Sequence, residues 1–249
     1  MDRRSRPKRH EESRENSRRN PTTRTIRREA IRLEDVWVAY AGSGKPAIRE
    51  INLFFPLGKL VLITGPNGAG KTTLLETCLG LLKPYRGKAF LLGVDTKSRK
   101  ILEARRKCSY VPQDFMKPPY ESYTARQAIE LGLVLENTPD KNTRVEWAAK
   151  LLGIEDLLDR PLGTLSGGQQ QRVYLARALA RKPLVMLLDE PFSSLDRETR
   201  KTVAEILRNY VDRENTTVII VSHDTAPIIE LADTTIWMNE GKVVKVEAK

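Results

Sequence analysis

The chain is poor in residues that would place it in several large classes of protein. It has two cysteines in 249 residues, Cys78 and Cys108, and their spacing builds neither a metal site nor a disulfide framework. Both fall inside expected core segments, which suits reduced packing residues in a cytosolic protein. No apolar run approaches the ~20 residues needed to cross a bilayer. The longest, Leu184–Leu188 and Val218–Val221, are strand-sized. No secretory leader is expected, because the N-terminus is charged throughout and has no apolar segment. A hydrophobic content of 40% is ordinary for an α/β protein, and 249 residues can bury the core of one domain or two small ones.

Large aliphatic residues are scarcest at the N-terminus, where Ile26 is the only one after Met1 in residues 1–30. The same segment holds eleven Arg/Lys against five Asp/Glu, about half of the net charge of +11. It cannot bury enough surface to offset its ordering entropy, so residues 1–30 are expected to form a disordered basic tail. The tail has no Trp, Phe or Leu to insert into a bilayer, so any membrane contact would be electrostatic, at roughly 1 kcal/mol per basic residue. Nucleic acid is a second candidate ligand, and a solubilising tail with no partner is a third reading. Its acidic residues argue against a transit peptide.

What the chain does have is centred on Gly65-Pro66-Asn67-Gly68-Ala69-Gly70-Lys71-Thr72-Thr73. The apolar run Leu60–Ile63 precedes it and a helical pattern, Leu74–Leu79, follows. Glycines in such a loop let backbone N–H groups crowd an anion, and the helix adds its unpaired N–H groups and positive dipole end. Lys71 then reaches the β- and γ-phosphates of a nucleoside triphosphate, and the Thr72 hydroxyl ligates Mg²⁺. The competing reading is a glycine-rich turn that binds nothing.

Strands are expected at Ile31–Tyr40, Ala47–Phe55, Lys59–Thr64, Gly87–Leu92 and Cys108–Val111, with a turn at Gly42–Gly44. Tyr40 offers a flat π surface for a purine, with a half-buried strand-end tyrosine as the alternative. From Tyr123 to Leu158 the pattern turns helical, with Ala125–Leu135 and Thr143–Leu152 apolar at three- and four-residue spacing. This insert, about 114–165, reads as a helical subdomain on the flank of the sheet.

Leu165-Ser166-Gly167-Gly168-Gln169 then leads into the helix Val173–Arg181. Ser166 is a good N-cap, and the glycines leave backbone N–H groups exposed, a second anion-binding helix end. Leu184–Leu188 is continuously apolar, as a strand covered on both faces must be, and it ends in Asp189-Glu190-Pro191. Ligands of open parallel sheets lie at the carboxyl ends of strands, so Asp189 is placed to hold Mg²⁺ and Glu190 to polarise the attacking water. A solvated loop start is the bland alternative. Arg197–Val211 is an amphipathic helix and Thr217–Val221 a buried strand that ends in Ser222-His223-Asp224. Strands at Thr234–Met238 and Lys242–Val246 complete the pattern, and no added regulatory domain is expected.

Together, and in this order, these residues resemble the ATP-binding-cassette family, the nucleotide-binding subunits of ABC transporters, from about Ile31 to Val246. A phosphate loop alone admits kinases and GTPases; Leu165–Gln169, similar to the ABC signature, is far narrower. The resemblance implies an α/β, P-loop NTPase (RecA-like) core with an N-terminal antiparallel β subdomain and an inserted helical subdomain. It implies that Tyr40 stacks on adenine and that Gln113 touches Mg²⁺ or the water. It implies that Ser193–Asp196 crosses a dimer interface, that His223 bonds the γ-phosphate, and that Ser166, Gly168 and Gln169 contact the nucleotide of a second subunit. ATP and Mg²⁺ are thus the implied cofactors. The implied partners are a second copy in a head-to-tail sandwich, integral-membrane permease subunits and a solute-binding protein, at the cytoplasmic face of a membrane. Nucleic acid is not expected as a partner. Tyr110-Val111-Pro112-Gln113 and Leu165–Ala180 are most similar to the ATPases of zinc/manganese-type uptake systems. Thr164 replaces the family's usual glutamate, and Asp114–Tyr123 departs from the usual form. A soluble cassette acting in nucleic-acid repair or translation is the second class; the basic tail favours it, and the lack of long insertions or a tandem cassette opposes it.

Overall fold

The computed structural model of the chain describes residues 29–113, 122–136, 138–226 and 228–249. Its first strands, β1 (Glu29–Val38) and β2 (Ile48–Pro56), alternate buried and exposed side chains, the pattern of a sheet with one covered face. With β4 (Arg86–Leu91) and β5 (Val94–Asp95) they form an antiparallel sheet of order β2-β1-β4-β5. Composition assigned Glu29 and Ala30 to the tail. They are instead the first two residues of β1, both buried, and Glu29 pairs with Arg32 at 3.1 Å. The rest of the expected tail, residues 1–28, lies outside the described residues.

The second sheet has six strands: β3 (Leu60–Thr64), β6 (Cys108–Val111), β7 (Val185–Asp189), β8 (Thr217–Val221), β9 (Thr234–Asn239) and β10 (Lys242–Ala248), in the order β10-β9-β3-β8-β7-β6. All pairings are parallel except β9 with β10. Every residue of β3, β7 and β8 is buried, and alternate residues serve opposite cores, as a pleated strand requires. Leu60, Leu62, Met186, Leu188, Val218 and Ile220 face one core. Val61, Ile63, Val185, Leu187, Ile219 and Val221 face the other, which the antiparallel sheet and α1 (Lys71–Cys78) complete. Cys78 and Cys108 are free and packed in this second core; burial pushes the Cys108 thiol up to about 12, away from reactivity. A short α2 (Ile101–Arg106), outside the expected elements, leads into β6.

The inserted helical subdomain packs on the first core. Of its expected extent, residues 114–121 lie outside the described residues. Helix α3 (Ala125–Glu130) is shorter than the expected Ala125–Leu135 and tightens into a 3₁₀ turn at Leu131–Leu133. This turn runs close to α5: a Cβ on Gly132 would sit 2.7 Å from the carbonyl oxygen of Arg177, so glycine is needed there for space. Helix α4 (Lys141–Leu151) follows, and both helices pack on α5 (Gly167–Ala180). The amphipathic α6 (Arg197–Glu214) buries Val203, Leu207, Tyr210 and Val211, and Trp147 of α4 meets Tyr210 at 6.1 Å between ring centroids. Past a last short helix, α7 (Ile228–Leu231), Asp233 accepts from the Leu60 backbone N–H at 2.8 Å, from Lys59 at 3.1 Å and from Arg208 at 2.7 Å. That clamp ties α6 and the start of β9 to the base of β3.

Candidate functional site

The loop between β3 and α1 is shaped by two glycines. Gly65 has φ 147°, and a Cβ there would lie 2.1 Å from the Met238 carbonyl oxygen on β9. Gly70, at φ 94°, caps α1, and its Cβ would lie 2.7 Å from Ala47 O. Both positions therefore need glycine for space as well as for conformation. The loop is bent so that Lys71, 7% exposed, donates to the carbonyls of Gly65 at 2.9 Å and Pro66 at 3.0 Å. The ammonium thus sits over the glycine loop at a helix N-terminus, two positive features on one small volume. The Tyr40 hydroxyl is 2.9 Å from Thr73 Oγ1, which fixes this half-exposed ring beside the loop.

The carboxyl end of β7 faces the same volume. Asp189 is fully buried, yet neither carboxylate oxygen has a hydrogen-bond partner. Burial pushes its carboxyl up; the Thr72 hydroxyl pulls it down without closing a bond of normal geometry, Glu190 opposes its ionisation and Lys71 favours it. Glu190 adopts φ 50°, rare for a residue with a side chain. Its backbone N–H donates to Val221 O at 2.9 Å, and its Oε1 accepts from the His223 backbone N–H at 3.1 Å and lies 2.9 Å from His223 Nδ1.

These residues meet in one cleft of about 430 Å³, lined by Tyr40, Asn67, Gly68, Gly70, Lys71, Thr72, Thr73, Gln113, Asp189, Glu190 and His223, with Ala47. The expected set from Tyr40 to His223 is therefore assembled from five separate stretches of sequence. Gly65, Pro66 and Ala69 build the loop without lining the cleft. Ser166, Gly168, Gln169 and Asp196 also lie outside it. Ser166 and Gln169 form a capping box at the start of α5, and Asp196 caps α6 through Thr199. Ser166 and Asp196 are exposed. Residues outside the sequence-based set are Ala47 and Gln171. Gln171 is a polar residue that opens the apolar stripe Gln171–Leu175–Ala178 of α5, a signal that was available in the periodicity.

An orphaned, buried carboxylate suits a cation, and the Thr72 hydroxyl beside it suits a hard one. Among the described residues no three His, Cys, Asp or Glu side chains group into a metal site. The residues present fit Mg²⁺ carried on substrate phosphates, which needs few protein ligands.

The family model described as ABC transporter matches residues 48–193. The chain belongs to the ABC transporter family. Its fold is accordingly the ABC-type P-loop NTPase fold, with an antiparallel β subdomain and a helical insertion. This cassette is 41% identical over 202 residues to the sulfate/thiosulfate import ATP-binding protein CysA of Synechocystis sp., covering 80% of this chain and 56% of that protein. It is 38% identical over 201 residues to the Fe(3+) ions import ATP-binding protein FbpC 1 of Pectobacterium atrosepticum, covering 81% of this chain and 56% of that protein. The cassette thus spans a little over half the length of these relatives. It also superposes, with a TM-score of 0.80 and 29% identity, on the dimeric post-hydrolysis structure of the ATP-binding cassette MJ0796 bound to ADP and Pi, covering 88% of this chain and 98% of that one. Among the described residues no helix is long and apolar enough to cross a membrane.

Proposed function

We propose that this cassette binds and hydrolyses MgATP and that two copies energise solute import through membrane permease subunits. The observation that carries the reading is the meeting of Lys71, the orphaned Asp189 and the paired Glu190–His223 in one cleft. Loop N–H groups and Lys71 hold the β- and γ-phosphates, and Tyr40 offers a face for the adenine. Thr72, Asp189 and Gln113 would hold Mg²⁺, which when bound neutralises developing phosphate charge. Glu190 orients and deprotonates the attacking water, and His223 fixes the carboxylate and faces the γ-phosphate. In the absence of a second chain, Ser166 and Asp196 stand exposed outside the cleft. This arrangement supports a head-to-tail dimer in which one copy's signature closes the other's site.

The relatives named for import support that direction; a solute-binding protein as a further partner and a peripheral position on the cytoplasmic membrane face are supported by the family resemblance. The finer cargo, zinc or manganese, is supported by the resemblance of Tyr110–Gln113 and Leu165–Ala180 alone, because the relatives act on sulfate/thiosulfate and Fe(3+). The purified chain should release phosphate from MgATP, and pull-down from membranes should recover a polytopic partner. Absence of turnover with a folded, nucleotide-binding chain would remove the ATPase. Turnover combined with tight, salt-sensitive RNA or DNA binding and no membrane partner would favour a nucleic-acid cassette.

A further inference from the structure

Gln171 is completely buried, and its amide is used from both ends. Nε2 donates to the carbonyl oxygen of Glu190 at 3.1 Å and to Ser193 Oγ at 3.4 Å, while Oε1 accepts from the Ser194 backbone N–H at 2.9 Å. Glu190 meanwhile sits at φ 50°, a conformation that its own side chain disfavours and that surrounding bonds must hold. Its N–H is held by β8 through Val221. Its carbonyl accepts both from Gln171 Nε2 and, at 3.2 Å, from the Ser193 backbone N–H within its own turn, so Gln171 supplies the bond to that carbonyl that comes from α5. Close packing reinforces the link. The first turn of α5 lies so near the following loop that a Cβ on Gly168 would stand 2.9 Å from Ser194 O.

We propose that Gln171 is a positioning residue. From the signature helix it locks the strained Glu190 backbone, so that the carboxylate faces His223 and the cleft. The inference rests on the reading of Glu190 as the base that activates water. A carboxamide is suited to this place because it supplies a donor and an acceptor from one buried, uncharged group. A carboxylate here would keep the acceptor toward Ser194 but set an oxygen against the Glu190 carbonyl. A methionine would fill the space and make none of the three bonds.

The test is a double-mutant cycle on the full chain. Gln171→Met should lower kcat between ~10- and ~100-fold, the scale of a small misplacement of a reacting group. KM and the equilibrium Kd for MgATP should stay within about twofold, because the phosphate loop is untouched. In a Glu190→Gln background, measured under single-turnover conditions, adding Gln171→Met should leave the residual rate within about twofold. A residue acting through Glu190 has nothing left to position. Equal losses in both backgrounds, or a Gln171→Met variant at the parental rate, would overturn the role of Gln171. Glu190→Gln at the parental rate would instead overturn the role of Glu190 on which it rests. Retained MgATP affinity and helical circular dichroism report folding; should Gln171→Met fail on these, Gln171→Glu enters the same cycle with the same expected pattern.

Discussion

One oxygen of Glu190 serves His223 twice, accepting its backbone N–H at 3.1 Å and standing 2.9 Å from its ring Nδ1. The acid from the end of β7 and the imidazole from the end of β8 therefore behave as one unit, although 33 residues separate them. The neighbouring strands put them together, since β7 and β8 pair in parallel and end side by side, Asp189 opposite Val221.

Replacing that acid tests the chemistry directly. Glu190→Gln keeps size and loses basicity, so ATP turnover should fall at least ~10²-fold. Removing a negative charge that faces the γ-phosphate should leave MgATP binding equal or tighter. Size-exclusion chromatography should show a dimer with MgATP and a monomer with MgADP. Turnover at the parental rate would remove Glu190 from the mechanism, and a slow variant that never dimerises would remove the sandwich.

Lys71→Ala and Ser166→Ala should separate the two halves of the shared site. Lys71 points onto its own loop, so its loss should weaken MgATP binding by the isolated chain at least ~10-fold, the scale of a charged hydrogen bond. Ser166 caps α5 outside the cleft; its loss should cost about 1 kcal/mol of stability. It should spare monomer affinity and abolish the MgATP dimer of the Glu190→Gln chain. Equal losses of monomer affinity in a calorimetric titration would refute the division.

Gly65→Ala should be damaging even without nucleotide. The new methyl would meet Met238 O on β9 at a backbone φ of 147°, costing more than ~1 kcal/mol in urea unfolding. Nucleotide affinity should fall with it, because the loop and β9 shift together. An alanine variant with parental unfolding midpoint would show that the close approach is relaxed at little cost.

Asp233 sets a pH dependence of stability. Burial works against its ionisation, but the Arg208 guanidinium, the Leu60 N–H and the Lys59 ammonium outweigh it and hold the carboxyl below its usual value. The folded pKa is depressed, so the contribution is present above the unfolded value near ~3.9 and disappears as pH falls through the folded one. Asp233→Asn should therefore cost ~1–3 kcal/mol at pH 7. The difference from the parent chain should narrow below about pH 4. A constant difference across that range, by denaturant titration, would show that the carboxylate's charge contributes nothing.

Much of the lining of the candidate site was legible in the chain because each motif is contiguous. Gly65–Thr73, Leu165–Gln169 and Asp189-Glu190 need only their neighbours in sequence to be recognised, and the buried strands β3, β7 and β8 announce themselves as unbroken apolar runs. Periodicity also marked the helical insert, but it could not show where α3 stops. Where the helix tightens, Gly132 passes close to the Arg177 carbonyl, 45 residues further on, a neighbour that periodicity does not contain. Tertiary structure alone decided that Tyr40 is tethered to Thr73, that Gly65 abuts Met238, that Glu190 is strained, and that Gln171 holds it. The three contacts join segments far apart in the chain, and the Glu190 conformation is held by bonds of that kind to Val221 and Gln171. Such contacts depend on which strands lie side by side and how closely α5 packs over the end of β7, and local residue preferences carry no record of either distance.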